Sequence, residues 1–512
     1  MKRRMLPVAV LMTMCLFSSA VGQTIESRSN YLNWGWEAVV MKNGIITVAT
    51  VPAIGARIMQ YDLGRHASIF VNESELGKTY VPGPSSSWPN FGGFKNWPAP
   101  QERWNWPPPP TIDFGPYEAG IAEETADSAS IEFIGQKERW LTPGLRFIRR
   151  TTIYRNSSCV RMDQTLVNEG STAASWSVWD ITQSIVHHPN KTDYENFWVY
   201  FPIDPDSRYG KSGVRFDQNS AAWKGEVADG IYGVQFVPDG KKIFSDSYGP
   251  NRGWICYADN LDGYIYAKTF PLFKGQEYPD QGARVEVWVS NSPLYLEVEV
   301  VSPIVDLAAN GGQYTFTEDW YAARMKGPVL AVNSMGAVEQ HLKVQDGRIT
   351  GRFGVFHAGS AWLSYVDGAG TELGSGGAHA VTPLETFVLD ETDTIPAGTA
   401  RVVLVLSGSP GGGLGILDAV AATASGGSVL SLNYPNPFHD ATRLQVNVPE
   451  EGDAELAVFD ARGRKVRVLL AGRLQAGPRT VEFNAAGLAS GIYFARLKTA
   501  GSVKTVKMVL AR

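Results

Sequence analysis

Runs in which apolar and polar side chains alternate recur along most of the chain, and no other feature limits its fold as strongly. Successive residues of an extended strand point to opposite faces, so a period of two marks a strand with one face buried and the other wet. The pattern is present in residues 45–51 (IITVATV), 145–154 (LRFIRRTTIY), 160–167, 283–289 and 294–300. It returns near the C-terminus at Leu444, Val446 and Val448, at Leu456 and Val458, and at Val466, Val468 and Leu470. Long amphipathic helical runs are nearly absent, and 53 Gly and 30 Pro punctuate the strand-like segments. The expected fold class is all-β, built from antiparallel strands.

With 512 residues the chain exceeds one ordinary domain, and about 150 residues per domain gives roughly three units. Residues 1–23 have a basic start (Lys2, Arg3, Arg4), an apolar stretch from Leu6 to Phe17 and small residues from Ala20 to Gly22. That is the grammar of a secretory signal peptide, removed on export. Cys15 lies inside the apolar stretch without a small residue before it, which argues against a lipid anchor. No later segment offers the ~18–20 apolar residues of a membrane-spanning helix, so no transmembrane segment is expected. The net charge is −5 and no Lys/Arg block occurs, which excludes the electrostatic footprint of a nucleic-acid binder. Cys159 and Cys256 are either one disulfide or two buried thiols; their spacing does not decide between the two.

Tryptophan divides the remainder. Of fifteen Trp, all but Trp362 lie between Trp34 and Trp320, so an aromatic-rich domain is expected over residues 24–324. A lighter, Gly-rich stretch follows and reads as an accessory β-sandwich over 325–418. The small residues AVAATASGGS form a linker over 419–428, and a terminal module occupies 429–512.

The terminal module carries a set of separated motifs: NYPNPF from Asn433, FDARGRKV from Phe459, LASGIYFARL from Leu488, and KMVL before the last residues. Together they resemble the C-terminal sorting domain of the type IX secretion system. The resemblance implies the secretion machinery as a partner and a secreted or outer-surface location. The first domain resembles an uncharacterised family with the fold of galactose mutarotases. The matching words are GARI from Gly55, GGFKNWPAPQ from Gly92, WDITQ from Trp179, KIFSD from Lys242, EYPDQGARVEVW from Glu277 and YLEVEVVSP from Tyr295. The implied architecture is a large galactose-mutarotase-like β-sandwich followed by two small Ig-like β-sandwich modules.

The segment WPNFGGFKNWPAPQERWNWPPPP, from Trp88 to Pro110, sets indole rings and polar groups among prolines that stiffen the backbone. Indoles stack on the C–H face of a pyranose while polar side chains meet its hydroxyl rim. On that reading Trp97, Trp104 and Trp106 are platforms, and Lys95 and Gln101 are orienting groups. Packing of the rings on prolines is the competing account. In WDITQ, strand alternation sends Gln183 to the face opposite Asp180, and Gln183 is taken as the cleft residue. Arg57 of GARI completes the expected lining. By resemblance to the mutarotase strand that supplies the catalytic base, Glu297 is the candidate base. Glu299 shares its face, with Lys268 and Arg284 as candidate cationic neighbours. The mutarotase ring-handling histidine has no counterpart inside WDITQ. His187 and His188 follow it as weaker candidates, since a loop His before Pro189 is more often a solvent-exposed turn residue.

Asp204 and Asp206 could offer oxygens to calcium, but further spaced ligands are missing, and no metal or other cofactor is expected. The expected function is a secreted protein that binds an extracellular carbohydrate. Whether it also processes the sugar, as an epimerase, lyase or hydrolase-like enzyme with a Glu base, is left open. A non-catalytic surface or adhesive protein is the alternative.

Overall fold

The computed structural model describes residues 22–187, 194–216, 225–238, 241–249, 252–345, 347–410, 412–422, 429–430, 433, 435–448, 451–475, 477–499 and 503–511. The expected signal peptide is almost entirely outside these residues. So are His188 and residues 423–428 of the expected linker.

The chain is almost wholly β. Two large antiparallel sheets face each other between Thr24 and Arg324. In the first, strands Arg57–Leu63, Phe94–Ala99, Ala174–Ser184, Leu296–Val301, Val285–Val289 and Lys241–Ser245 lie side by side in that order, within a twelve-stranded sheet. The second has ten strands, with Tyr264–Pro271, Gly312–Arg324, Val160–Asn168 and Leu145–Tyr154 adjacent near its middle. Strand Leu145–Tyr154 buries every second residue without exception, as its alternating sequence requires. Phe94 from the first sheet packs edge-on against Trp320 from the second, with ring centres 4.8 Å apart, and Tyr61 and Tyr266 complete the aromatic cluster.

The interior also holds charge. Asp180, on the inward face of its strand, pairs with Lys268 from the opposite sheet, and both side chains are fully buried. Lys268 also donates to the Val298 carbonyl at 3.0 Å. Beside them, burial and the nearby Asp180 hold the Glu318 carboxyl well above the usual carboxylate range, while Trp320 Nε1 donates to its Oε1 at 2.7 Å.

Two smaller units follow. A four-stranded and a five-stranded sheet share one core that includes Phe353, Leu363, Leu389 and Leu404. The last strand of this unit, Leu414–Ala421, runs three residues into the segment expected to be linker. A three-stranded and a four-stranded sheet form the C-terminal unit around Phe438, Leu456, Phe483 and Leu497. The accessory unit docks on the second large sheet: Ser158 N donates to Phe356 O at 2.9 Å and Ala358 N to Asn156 O at 2.7 Å. Cys159 and Cys256 are both buried and unbridged, and burial pushes both thiols up, away from the thiolate that a nucleophile needs.

Asp62, half-buried on strand Arg57–Leu63, gives a first prediction. Burial raises its carboxyl to about 6, against the hydrogen bond from Gln60. The native state then holds the proton more tightly than the unfolded chain, so stability falls as pH rises from about 4 through 6. A shift of this size corresponds to roughly 3 kcal/mol at most, of which residual solvent leaves about 1–2. Asp62→Asn, which keeps an acceptor for Gln60, should therefore gain about 1–2 kcal/mol at pH 7 and nothing at pH 4. Urea unfolding at the two pH values checks it, and an equal effect at both rejects it.

Candidate functional site

Strand alternation places a second set of side chains on the face of the twelve-stranded sheet that points away from the core. Leu296, Val298 and Val300 face inward, so Glu297 and Glu299 face outward together. Gln183 lies opposite Glu297 on one neighbouring strand and Trp288 on the other. One strand further, Lys95 and Trp97 share the outward face, Trp97 opposite Trp179. On the far side, Ile243 enters the core and turns Lys242 outward.

These residues converge. Lys95 Nζ donates to Glu297 Oε1 at 2.9 Å, and Gln183 Nε2 donates to the same oxygen at 3.1 Å. Next to this trio, Lys242 Nζ donates to Glu299 Oε2 at 2.9 Å and lies 2.7 Å from Glu286 Oε2. Trp179 Nε1 donates to Glu299 Oε2 at 2.6 Å, and its ring lies under the Lys242 ammonium at 4.3 Å. Glu297 is 9% exposed and the other two glutamates 1% or less. Three carboxylates and two ammonium groups are thus sequestered on one face.

Burial governs their protonation. It pulls the Lys95 ammonium below the ordinary lysine range, only partly opposed by Glu297. It pushes the Glu286 carboxyl well above the carboxylate range and raises Glu299 as well, against the attraction of Lys242. At Lys242 burial disfavours the charge, but Glu286 and Glu299 together outweigh it and raise the ammonium. The patch therefore combines a carboxyl fit to hold a proton at neutral pH with a Glu297 carboxylate fixed by two donors.

Several expected lining residues behave differently. Arg57 is fully buried: it donates from Nη1 to Gly92 O at 3.0 Å and from Nη2 to Asp113 Oδ1 at 2.7 Å. It supports the loop and cannot touch a ligand. The carbonyl it meets belongs to Gly92, whose φ of 88° and near approach to the Phe70 carbonyl leave no room for a Cβ. Trp97 and Trp104 are each 4% exposed, with indole N–H groups given to Asp113 and to Pro98 O. Neither offers a free face, because each packs edge-on against the other. Trp106 does: it is 55% exposed and leans against half-buried Trp88, with centres 5.0 Å apart. Gln101 is half-buried in the short turn Gln101–Arg103. His187 is exposed.

The cations nearest the glutamates also differ from those expected. Lys268 is inside the sandwich with Asp180, and Arg284 donates to the carbonyls of Asp246 and Ser247. Lys95 and Lys242 take their place. Lys242 was legible in KKIFS, where an apolar Ile243 and the period of two send it outward. Asp204, a calcium candidate, accepts from Asp206 N at 3.0 Å and lies 3.6 Å from Arg284, which accounts for it as a turn residue.

None of the curated proteins matches the chain. Among solved structures, a galactose mutarotase-like protein of Clostridium acetobutylicum is 12% identical, with a TM-score of 0.39, covering 60% of this chain and 99% of that one. A galactose mutarotase related enzyme of Lactobacillus acidophilus is 10% identical, with a TM-score of 0.38 and coverage of 56% and 98%. A protein of Synechocystis sp. PCC 6803 is 12% identical, with a TM-score of 0.39 and coverage of 56% and 96%. Residues 433–511 match the family described as the secretion system C-terminal sorting domain. Their strands alternate around a separate core. The chain therefore ends in the C-terminal sorting domain of the type IX secretion system.

Proposed function

We propose that this is an exported, surface-attached protein whose large sandwich binds an extracellular carbohydrate on the outward face of the twelve-stranded sheet. Trp106 and Trp88, the latter with the Lys95 ammonium 5.7 Å from its ring, would supply the aromatic side of the site, and Glu297, held by Lys95 and Gln183, the polar side. The observation that carries the reading is the buried charge. Five ionisable groups taken out of water on a face that is not the core cost several kcal/mol each before their mutual attraction is counted. Apolar side chains in their place would be as stable or more so, which argues that this patch is kept for a ligand rather than for the fold. The sugar reading rests on indoles beside carboxylates and amides, the pairing that matches a pyranose face and rim. If turnover occurs, Glu297 is the base and Glu286 the group that donates a proton.

Trp106→Ala is the direct test, because an exposed ring can be removed without disturbing the fold. On a glycan array and by titration calorimetry, it should lose about 10-fold or more in affinity at an unchanged melting temperature. Failure of the intact protein to bind any glycan would favour the adhesive, non-catalytic alternative, in which the packed rings of Trp97 and Trp104 are purely structural. In Glu297→Gln, retained binding with loss of an observed turnover would identify an enzyme.

A further inference from the structure

The opposite sheet carries a separate hollow of about 620 Å³, at the seam between the large sandwich and the accessory unit. Arg161, Arg252, Asp319 and Tyr321 line it from the large sandwich, and His357 and Ser409 from the accessory unit. Its size suits one or two sugar rings or a similar small molecule. The seam is firm: Tyr321 stacks on Phe356 with centres 4.5 Å apart, and Ser157 bonds the His357 ring at 2.8 Å.

Its charge pattern points to a ligand class. Arg161 and Asp319 are opposite each other across paired strands. Arg161 Nε donates to Asp319 Oδ1 at 2.9 Å, and Arg252 Nη2 lies 3.3 Å from Oδ2. Two guanidinium groups thus share a single carboxylate. Asp127 at the rim is neutralised by Arg155 at 2.9 Å. Arg252 Nη2 also donates to the Thr269 carbonyl at 2.8 Å, whereas Arg161 is half-exposed and, among the described residues, no hydrogen bond engages its Nη groups. The two uncommitted Nη groups of Arg161, with the second guanidinium beside them, match a carboxylate or sulfate, which takes two parallel N–H bonds from a guanidinium.

We propose that this seam is a binding site for a small organic anion, its carboxylate or sulfate group held by Arg161 and Arg252 in competition with Asp319. The site is independent of the glutamate patch on the other sheet.

Titration calorimetry of the full mature chain with D-glucuronate, D-glucose 6-sulfate and D-glucose tests it. An acidic probe should bind in the millimolar range or better and glucose should not; which acidic probe binds tells carboxylate from sulfate. Arg161→Ala should weaken binding about 10-fold or more in protein that is still folded by circular dichroism at the titration temperature, since Arg252 continues to face Asp319. Asp319→Asn, which removes the competing carboxylate at constant shape, should tighten it, and a purely structural ion pair would not. The proposal is overturned if neither acidic probe binds at millimolar concentration, if glucose binds equally well, if Arg161→Ala binds as tightly as the parent, or if Asp319→Asn binds no tighter.

Discussion

Lys268→Met should destabilise the large sandwich by roughly 3–5 kcal/mol, because it removes the ammonium paired with Asp180 and leaves a fully buried carboxylate between the sheets. The methylene stem of Met fills the same space against Trp320, so the loss reports charge rather than volume. Glu318→Gln is the contrasting variant. Its parent carboxyl already holds a proton, and an amide keeps both a donor toward Asp180 and an acceptor for Trp320 Nε1, so the change should stay within about 1 kcal/mol. Urea unfolding followed by Trp fluorescence suits the comparison, since all Trp but Trp362 lie in this domain. Equal losses in the two variants would refute the assignment of the proton to Glu318.

Asp113→Ala should have an effect of similar size, roughly 3–5 kcal/mol, from the other side of the same sheet. One oxygen of Asp113 accepts from both Arg57 Nη2 and Trp97 Nε1 at 2.7 Å, and all three side chains are 4% exposed or less. Removing it strands a buried guanidinium and frees the indole on which Lys95 rests at 5.1 Å. The loss should therefore appear twice, as a lower unfolding midpoint and as weaker glycan binding relative to parent. Asp113→Asn restores an acceptor without charge and should recover about half of the stability. A stable Asp113→Ala protein with parental binding would show that Arg57 and Trp97 have no structural role here.

Strand faces were readable from the sequence because the side-chain period of a strand is two residues. That rule alone separates Gln183 from Asp180, pairs Glu297 with Glu299, and turns Glu286 away from Val285 and Val287. What it cannot give is the partner strand. Lys268 and Arg284 are near the glutamates in sequence and were natural candidates for their counter-ions. The actual cations, Lys95 and Lys242, come from strands 202 and 57 residues away from their glutamate partners. Likewise, the Trp88–Pro110 segment announces a rigid aromatic loop, but which of its rings faces water depends on what folds over it. Composition is the same for buried Trp104 and exposed Trp106.

The chain by itself determined its β class, its sorting tail and which side chains share a strand face, since these follow from local backbone geometry and contiguous motifs. Only the tertiary structure decided which faces meet, that Arg57 and two of the three expected indole platforms are enclosed, and that five ionisable groups gather on an outward face. The reason is physical: strand order in an antiparallel sandwich is set by non-local pairing and by burial of the whole apolar surface. No short window of residues contains that information.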